Sequence, residues 1–312
     1  MPDTVLKVLV VRDGRPGHEK QSLGIVAALK EEYGVEVREI FIKPGYKAIL
    51  RSLSLLVGSL PAEIAKFSPD LIVGTGSHTH FIMLALRKRL GGRTVVCMSP
   101  MKVIRNWFDL CCIPRHDEVE EGDNVLFTDG PPGLNSNKKI HDLKKGLILV
   151  GGIDEKSHIW SSEKISKTIV DAIQQHPQYQ WTLTTSPRTP SDFLQVFSSF
   201  CPDKEALTLA PFSETPPGWL EKQLEVNNWV LVTEDSLSML FEALSAGCLV
   251  ATIPVTFKTE NKFVRCIQDL KSRHLIASEI GDSGTQHGVE LNEAKRCAKE
   301  ITARFIHEKP IV

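Results

Sequence analysis

Short runs of β-branched residues and leucine alternate with longer stretches of mixed polarity along almost the whole chain. Val5–Val11 reads as a buried strand, and Val35–Ile42, Asp70–Val73, Thr94–Met98, Phe108–Ile113 and Asn124–Thr128 as its successors. Helical patterns fall between them, over His18–Tyr33 and His80–Arg89. The same rhythm restarts with predicted strands at Gly146–Val150, Tyr179–Thr184, Leu207–Ala210, Trp229–Val232 and Leu249–Pro254. The helices predicted here cover Ser162–His176, Ser191–Phe200, Ser236–Ala246 and Leu291–His307. Strands separated by helices of this length specify βαβ units and parallel sheets. The pattern lapses between Gly130 and Lys145, a stretch rich in Pro, Gly, Asn and Lys. We therefore expect two doubly wound, Rossmann-like α/β domains, residues 1–143 and 144–290, facing across a cleft. A terminal helix, residues 291–312, is expected to pack back on the first domain.

The length of 312 residues agrees with two domains. The formal charge of −1 argues against a nucleic-acid binder. That near-neutrality hides an asymmetry. Residues 1–145 carry 21 basic against 17 acidic residues, a net of +4, and the remainder a net of −5. Lys43–Arg115 alone holds 11 basic against three acidic residues and includes the apolar run Ile49–Leu60. This segment reads either as a helix with a solvated basic face or as a patch for an anionic membrane or acceptor. The N-terminus has no secretory pattern, and no apolar run is long enough to span a bilayer, so a cytoplasmic protein is expected, or one peripheral to the inner face of a membrane. Seven cysteines without metal-ligand spacing read as buried thiols.

Candidate chemistry gathers where predicted strands end. After the first strand, Asp13, Gly14, Gly17, His18, Glu19, Gln21 and Ser22 form a turn and the start of a helix, where a histidine and two carboxylates suit general acid/base work. The alternative is a structural turn with a capping Glu. Gly74 and Gly76, with His78 and His80 beyond, lack the third glycine of a dinucleotide fingerprint but allow close backbone approach. Gly151 and Gly152 could offer amides to a phosphate. Thr185, Ser186 and Arg188 add hydroxyls and a cation. The richest turn is Thr233–Gly247, in which Asp235 or Ser236 caps a helix and Ser236, Ser238 and the first amides suit phosphate oxygens. Glu242, further in, suits the hydroxyls of a ribose. There is no P-loop, no HExxH, no Gly-x-Ser-x-Gly and no Asp-x-Asp, so a nucleotide sugar would be held without a required metal.

Taken in order, Asp13–Glu19, Gln21–Gly24, Pro69–Gly76, Phe108–Leu110, Pro114–Asp117 with His116, Gly122–Val125, Gly151–Gly152, Thr184–Pro190 and Val232–Met239 resemble the mitochondrial-fission Elm-type family. The resemblance implies the glycosyltransferase type-B fold. It implies a nucleotide-diphosphate sugar as substrate, UDP-linked by preference, and no other cofactor. Glu242 would then take the ribose, and Gly151, Gly152, Thr185, Ser186, Arg188, Asp235, Ser236, Ser238 and Met239 would surround the rest of the donor. His18 would be the base toward an acceptor of unknown identity. The alternatives are an epimerase acting on the donor alone and a non-catalytic scaffold of the fission type.

Overall fold

The computed structural model describes residues 5–42, 60–134, 137–201, 207–277, 279–281 and 291–306. Of the apolar run Ile49–Leu60 only Leu60 is among them, and Lys43, Lys47 and Arg51 lie outside the described residues. The chain divides into two compact units, residues 1–134 with 292–312, and residues 135–291.

The first unit carries β1 (Leu6–Arg12), α1 (Pro16–Glu32), β2 (Val35–Phe41), α2 (Ala62–Ala65), β3 (Leu71–Thr75), α3 (His80–Leu90), β4 (Arg93–Cys97), α4 (Lys102–Arg105), β5 (Leu110–Pro114) and β6 (Val125–Thr128). All six strands are parallel, in the order β2-β1-β3-β4-β5-β6. Side chains alternate across the sheet, so β1 feeds two cores. Val8 and Val10 pack on one face with Ile25, Leu29, Cys297 and Ile301. Leu9 and Val11 pack on the other with Ile72, Ile82 and Phe108. Burial on both faces is why β1 reads as a nearly continuous apolar run.

The second unit carries β7 (Asp142–Leu149), β8 (His158–Ile159), α5 (Ser162–Gln175), β9 (Gln180–Thr184), α6 (Phe193–Phe200), β10 (Leu207–Ala210), α7 (Trp219–Val226), β11 (Asn227–Thr233), α8 (Leu237–Ser245), β12 (Leu249–Ile253), β13 (Thr256–Phe257) and α9 (Lys262–Ser272). Its main sheet is parallel, in the order β10-β9-β7-β11-β12. Leu147 and Leu149 face Leu240 and Phe241 of α8, while Ile148 and Val150 face Ile169 of α5 and Phe197 of α6. The last helix, α10 (Glu293–Phe305), packs Cys297, Ala298 and Ile301 into a core of the first unit.

Several boundaries differ from the sequence reading. The strand expected from Gly146 begins at Asp142, inside the stretch taken as a linker, because β7 pairs with β11 over polar residues before its apolar half. Four helices were not predicted: the four-residue α2 and α4, and the longer α7 and α9. α7 follows Pro216 and Pro217, with Gly218 in the left-handed region, so its start resembles a loop. α9 buries only Cys266, Ile267 and Leu270. Its capping Asn261, which accepts from the amides of Phe263 and Val264, is the signal that could have found it. Among the described residues no helix is long and apolar enough to cross a membrane. All seven cysteines are buried thiols outside any disulfide. Burial raises the Cys111 thiol to about 12, which leaves it unreactive.

Candidate functional site

Each unit gathers polar groups at the carboxyl ends of its central strands. In the first unit β1 ends at Arg12, and Gly14, with φ +79°, turns the chain into α1, which has Pro16 at its first position. Asp13 is fully buried and accepts from the Arg15 amide at 3.1 Å and from His18 Nδ1 at 2.8 Å. A carboxylate only accepts, so Nδ1 is the donor to Asp13 and, in the neutral ring, Nε2 is the nitrogen that carries the lone pair. The His18 side chain is 17% exposed and lies against Gly76, whose φ of +85° and missing side chain leave the ring its place, since a Cβ there would overlap it. Asp13, His18 and Gly76 therefore come together. Glu19 is engaged elsewhere: it accepts from the Arg12 guanidinium at 2.5 Å and the Gly14 amide at 3.1 Å. Ser22 is buried against Thr75, Oγ to Oγ1 at 2.6 Å, and ties α1 to β3. Gln21 donates to the Gly17 carbonyl within α1. A Cβ on Gly17 would meet nothing, whereas one on Gly74 would press on Met83. His116 sits apart in the short turn after β5, 3.9 Å from Asp117.

Beside the dyad stand two further histidines. The Arg15 guanidinium donates to His78 Nε2 at 3.1 Å. His80, first residue of α3, is 2% exposed and meets Phe108 edge to face. Neither of its ring nitrogens has a hydrogen-bond partner. Burial, and then the nearby His18 and His78, lower its pKa to about 4, so it is neutral at pH 7.

In the second unit the turns after β7, β9 and β11 converge. The Gly151 amide donates to Thr233 Oγ1 at 2.7 Å and the Gly152 amide to Asp235 Oδ2 at 2.9 Å. Both amides are thus engaged internally, contrary to the expectation that they face a phosphate. Their missing side chains serve closeness instead: a Cβ on Gly151 would overlap the Asp235 carboxylate and one on Gly152 the Arg188 backbone. Arg188 donates to Asp235 Oδ2 at 2.9 Å and to the Gly152 carbonyl at 3.2 Å. Ser186 Oγ donates to the Gly151 carbonyl at 2.9 Å and accepts from the Arg188 amide. Thr185 Oγ1 accepts from the Phe212 amide at 3.0 Å.

Asp235 does not cap α8: Arg188 and the Gly152 amide share its Oδ2, and its buried Oδ1 has no hydrogen-bond partner. Ser236 occupies the N-cap position without a side-chain cap bond. The first-turn amides of α8, at Leu237, Ser238 and Met239, therefore have no capping side chain, which is the arrangement that favours an anion. Ser238 is exposed there, while Ser236 is buried and Met239 packs against the core. Glu242 is half-buried further along α8. Sequence reasoning gave no role to Thr233 or His158: the pairing of β7 with β11 brings Thr233 to Gly151, while the loop after β7 folds His158 Nε2 to 3.0 Å from the Gly152 carbonyl six residues earlier. Among the described residues no group of three or more His, Cys, Asp or Glu is arranged to hold a metal.

A family model described as mitochondrial fission ELM1 matches residues 16–305. No curated protein matches the sequence significantly. Among solved structures, the chain is similar to a Listeria monocytogenes protein assigned as a UDP-N-acetylglucosamine 2-epimerase, with TM-score 0.60, 13% identity and 97% of each chain covered. It is similar to the Neisseria meningitidis UDP-GlcNAc 2-epimerase bound to UDP-GlcNAc, with TM-score 0.53 and 13% identity over 96% of this chain and 100% of that one. It is also similar to Phytolacca americana UGT2 complexed with UDP-2fluoro-glucose and pterostilbene, with TM-score 0.52 and 10% identity over 95% and 90%. At such identities the likeness establishes the fold, which is glycosyltransferase type B.

Proposed function

We propose, from the premise that this chain belongs to the mitochondrial fission ELM1 family and has the type-B fold, that it is a nucleotide-sugar-dependent glycosyltransferase. The observation that carries the reading is the Asp13–His18 pair. Asp13 fixes the imidazole with Nε2 as acceptor, on a partly exposed ring, as a general base requires. In the proposed reaction His18 Nε2 takes the proton of an acceptor hydroxyl. The oxygen attacks the anomeric carbon, and the bond from that carbon to the diphosphate breaks. The departing charge is held by the uncapped first turn of α8, with Ser238 beside it. Glu242 would take the ribose. Arg188, Ser186 and Asp235 support this turn through Gly151 and Gly152. UDP is the preferred nucleotide, because the solved structures of like fold named above include complexes with UDP-GlcNAc and UDP-2fluoro-glucose.

The two 2-epimerase structures support a second reading, a nucleotide-sugar 2-epimerase acting without an acceptor. Thermal shift with UDP, GDP, CDP and their sugars tests both, and absence of stabilisation by every nucleotide rejects both. If a nucleotide binds, His18→Ala is expected to abolish turnover and preserve the shift. Epimerisation of UDP-GlcNAc by the protein alone, followed by NMR, would favour the second reading.

A further inference from the structure

The outer side of α4 turns apolar residues to solvent. Ile104 and Phe108, one helical turn apart, are buried in the core with Ile82 and Leu86 of α3. The residue before each of them points away from that core. Val103 is 78% exposed and Trp107 55%, and Met101, at the start of the turn, is 53% exposed. Among the described residues no other seven-residue window exposes three large apolar side chains. Single exposed apolar residues are ordinary, whereas a cluster of them marks a surface that meets something else.

Charge decides what. Residues 71–108 contain six Lys or Arg and no Asp or Glu. Arg87, near the end of α3, donates to the Trp107 carbonyl at 2.7 Å, which sets a cation beside the residue that carries the indole. Arg87 and Arg93 share the one carboxylate of Asp109, at 3.1 and 3.0 Å, so their group keeps a positive balance. The exposed Lys88 and Arg89 follow Arg87 at the same end of α3. On the opposite flank Lys102 pairs with Glu120 at 2.9 Å, in a loop rich in acidic residues. The patch is therefore cationic toward α3 only.

A soluble polyanion has no use for three exposed apolar side chains, and an apolar protein surface has none for the cations. The interface of an anionic bilayer takes both. An indole rests at headgroup depth, Val and Met reach the acyl boundary, and Lys and Arg meet the lipid charges. The position suits this as well. The end of α3 and the starts of β4 and β5 lie at the amino edge of the parallel sheet, opposite the carboxyl edge that carries Asp13 and His18. A surface docked through Trp107 leaves that pair open.

We propose that Met101, Val103 and Trp107, with the basic end of α3, form a docking surface for an anionic membrane. This narrows the membrane face expected within Lys43–Arg115 to one side of α4, and it does not rest on the glycosyltransferase reading.

The test uses the full chain with vesicles of phosphatidylcholine alone or in equal mixture with phosphatidylglycerol. Trp107 is the one tryptophan of the first unit, the others being Trp160, Trp181, Trp219 and Trp229 of the second. The emission difference between the parent and Trp107→Tyr therefore reports it alone. The chain is expected to sediment with the mixed vesicles and not with phosphatidylcholine, and the Trp107 emission to shift to the blue as it does so. Val103→Asp and Lys88→Glu, both at exposed positions, are each expected to lower the partition coefficient about tenfold with Tm unchanged. Indifference to phosphatidylglycerol overturns the proposal, as does undiminished binding by either variant. Sedimentation with the Trp107 emission unmoved assigns the contact to another part of the chain and overturns it too. An equal blue shift with heparin in place of vesicles makes the partner a soluble polyanion, with the same result.

Discussion

Asp13 and Asp235 are buried carboxylates with different work. Asp13 orients an imidazole whose other nitrogen is free to act, whereas Asp235 binds loop to loop through Gly152 and Arg188. Arg188→Ala therefore leaves a buried carboxylate without its cation. It is expected to cost about 1–3 kcal/mol, below the value for a fully buried pair because Arg188 is 42% exposed. Chemical denaturation measures this, and Arg188→Ala combined with Asp235→Asn should recover much of the loss. Unchanged stability would return Arg188 to a purely ligand-binding role. His80 makes a pH prediction. Its folded pKa, about 4, lies below its ordinary 6.5, so between these values the unfolded chain binds more protons. Stability is then undiminished above pH 6.5 and falls as pH drops toward 4. His80→Phe is expected to flatten that limb relative to the parent in pH-dependent denaturation, and to raise Tm at pH 7 by removing two orphaned nitrogens.

At the level of elements, helix starts divide by whether a side chain closes them. Ser161 accepts from the Lys164 amide before α5, Asn261 from two amides before α9, and Asn292 from the Lys295 amide before α10. Ser236 before α8 and Thr79 before α3 make no such bond. The starts of α1, α6 and α7 also lack a side-chain cap, and those of α1, α3, α6, α7 and α8 all follow strands at the carboxyl edge of their sheets, where parallel sheets bind ligands. Asn261→Ala should show the structural class: a loss of about 1 kcal/mol in denaturation, with nucleotide-induced thermal shifts unchanged. The helices over Ser162–Gln175 and His80–Leu90 were legible because their apolar spacing and length persist for three turns or more. The helix over Trp219–Val226 is too short to show a period, whereas Lys262–Ser272 does carry a helical stripe, Phe263, Cys266, Ile267 and Leu270, which the sequence reading did not use.

For the whole chain, each unit owns its cores, and the first unit is built from both ends of the sequence. Ile301 of α10 is fully buried with Val8, Val10 and Cys297. Ile301→Ala is expected to cost about 2–5 kcal/mol. Hydrogen exchange should then quicken in β1, β3 and β5 while β7, β9 and β11 keep their protection. Faster exchange in the second unit alone would contradict the assignment of α10 to the first. The charge difference between the halves stands as a property of the sequence, and three residues that carry it, Lys43, Lys47 and Arg51, lie outside the described residues. Liposome co-sedimentation of the full chain with and without anionic lipid tests whether it meets a membrane.

The sequence by itself determined the parallel α/β class, the alternation of strands and helices, and the turns where polar groups gather. These follow from local periodicity and from glycine, proline and capping chemistry, which neighbouring residues carry between them. Only the tertiary structure decided which of those groups are already engaged. Gly151 and Gly152 look like phosphate ligands until Thr233 and Asp235, more than 80 positions away, take their amides. His80 looks incidental until burial leaves both its ring nitrogens without a hydrogen-bond partner. A hydrogen bond is decided by which crossovers bring donor and acceptor within 3 Å, and no local pattern along the chain encodes that distance.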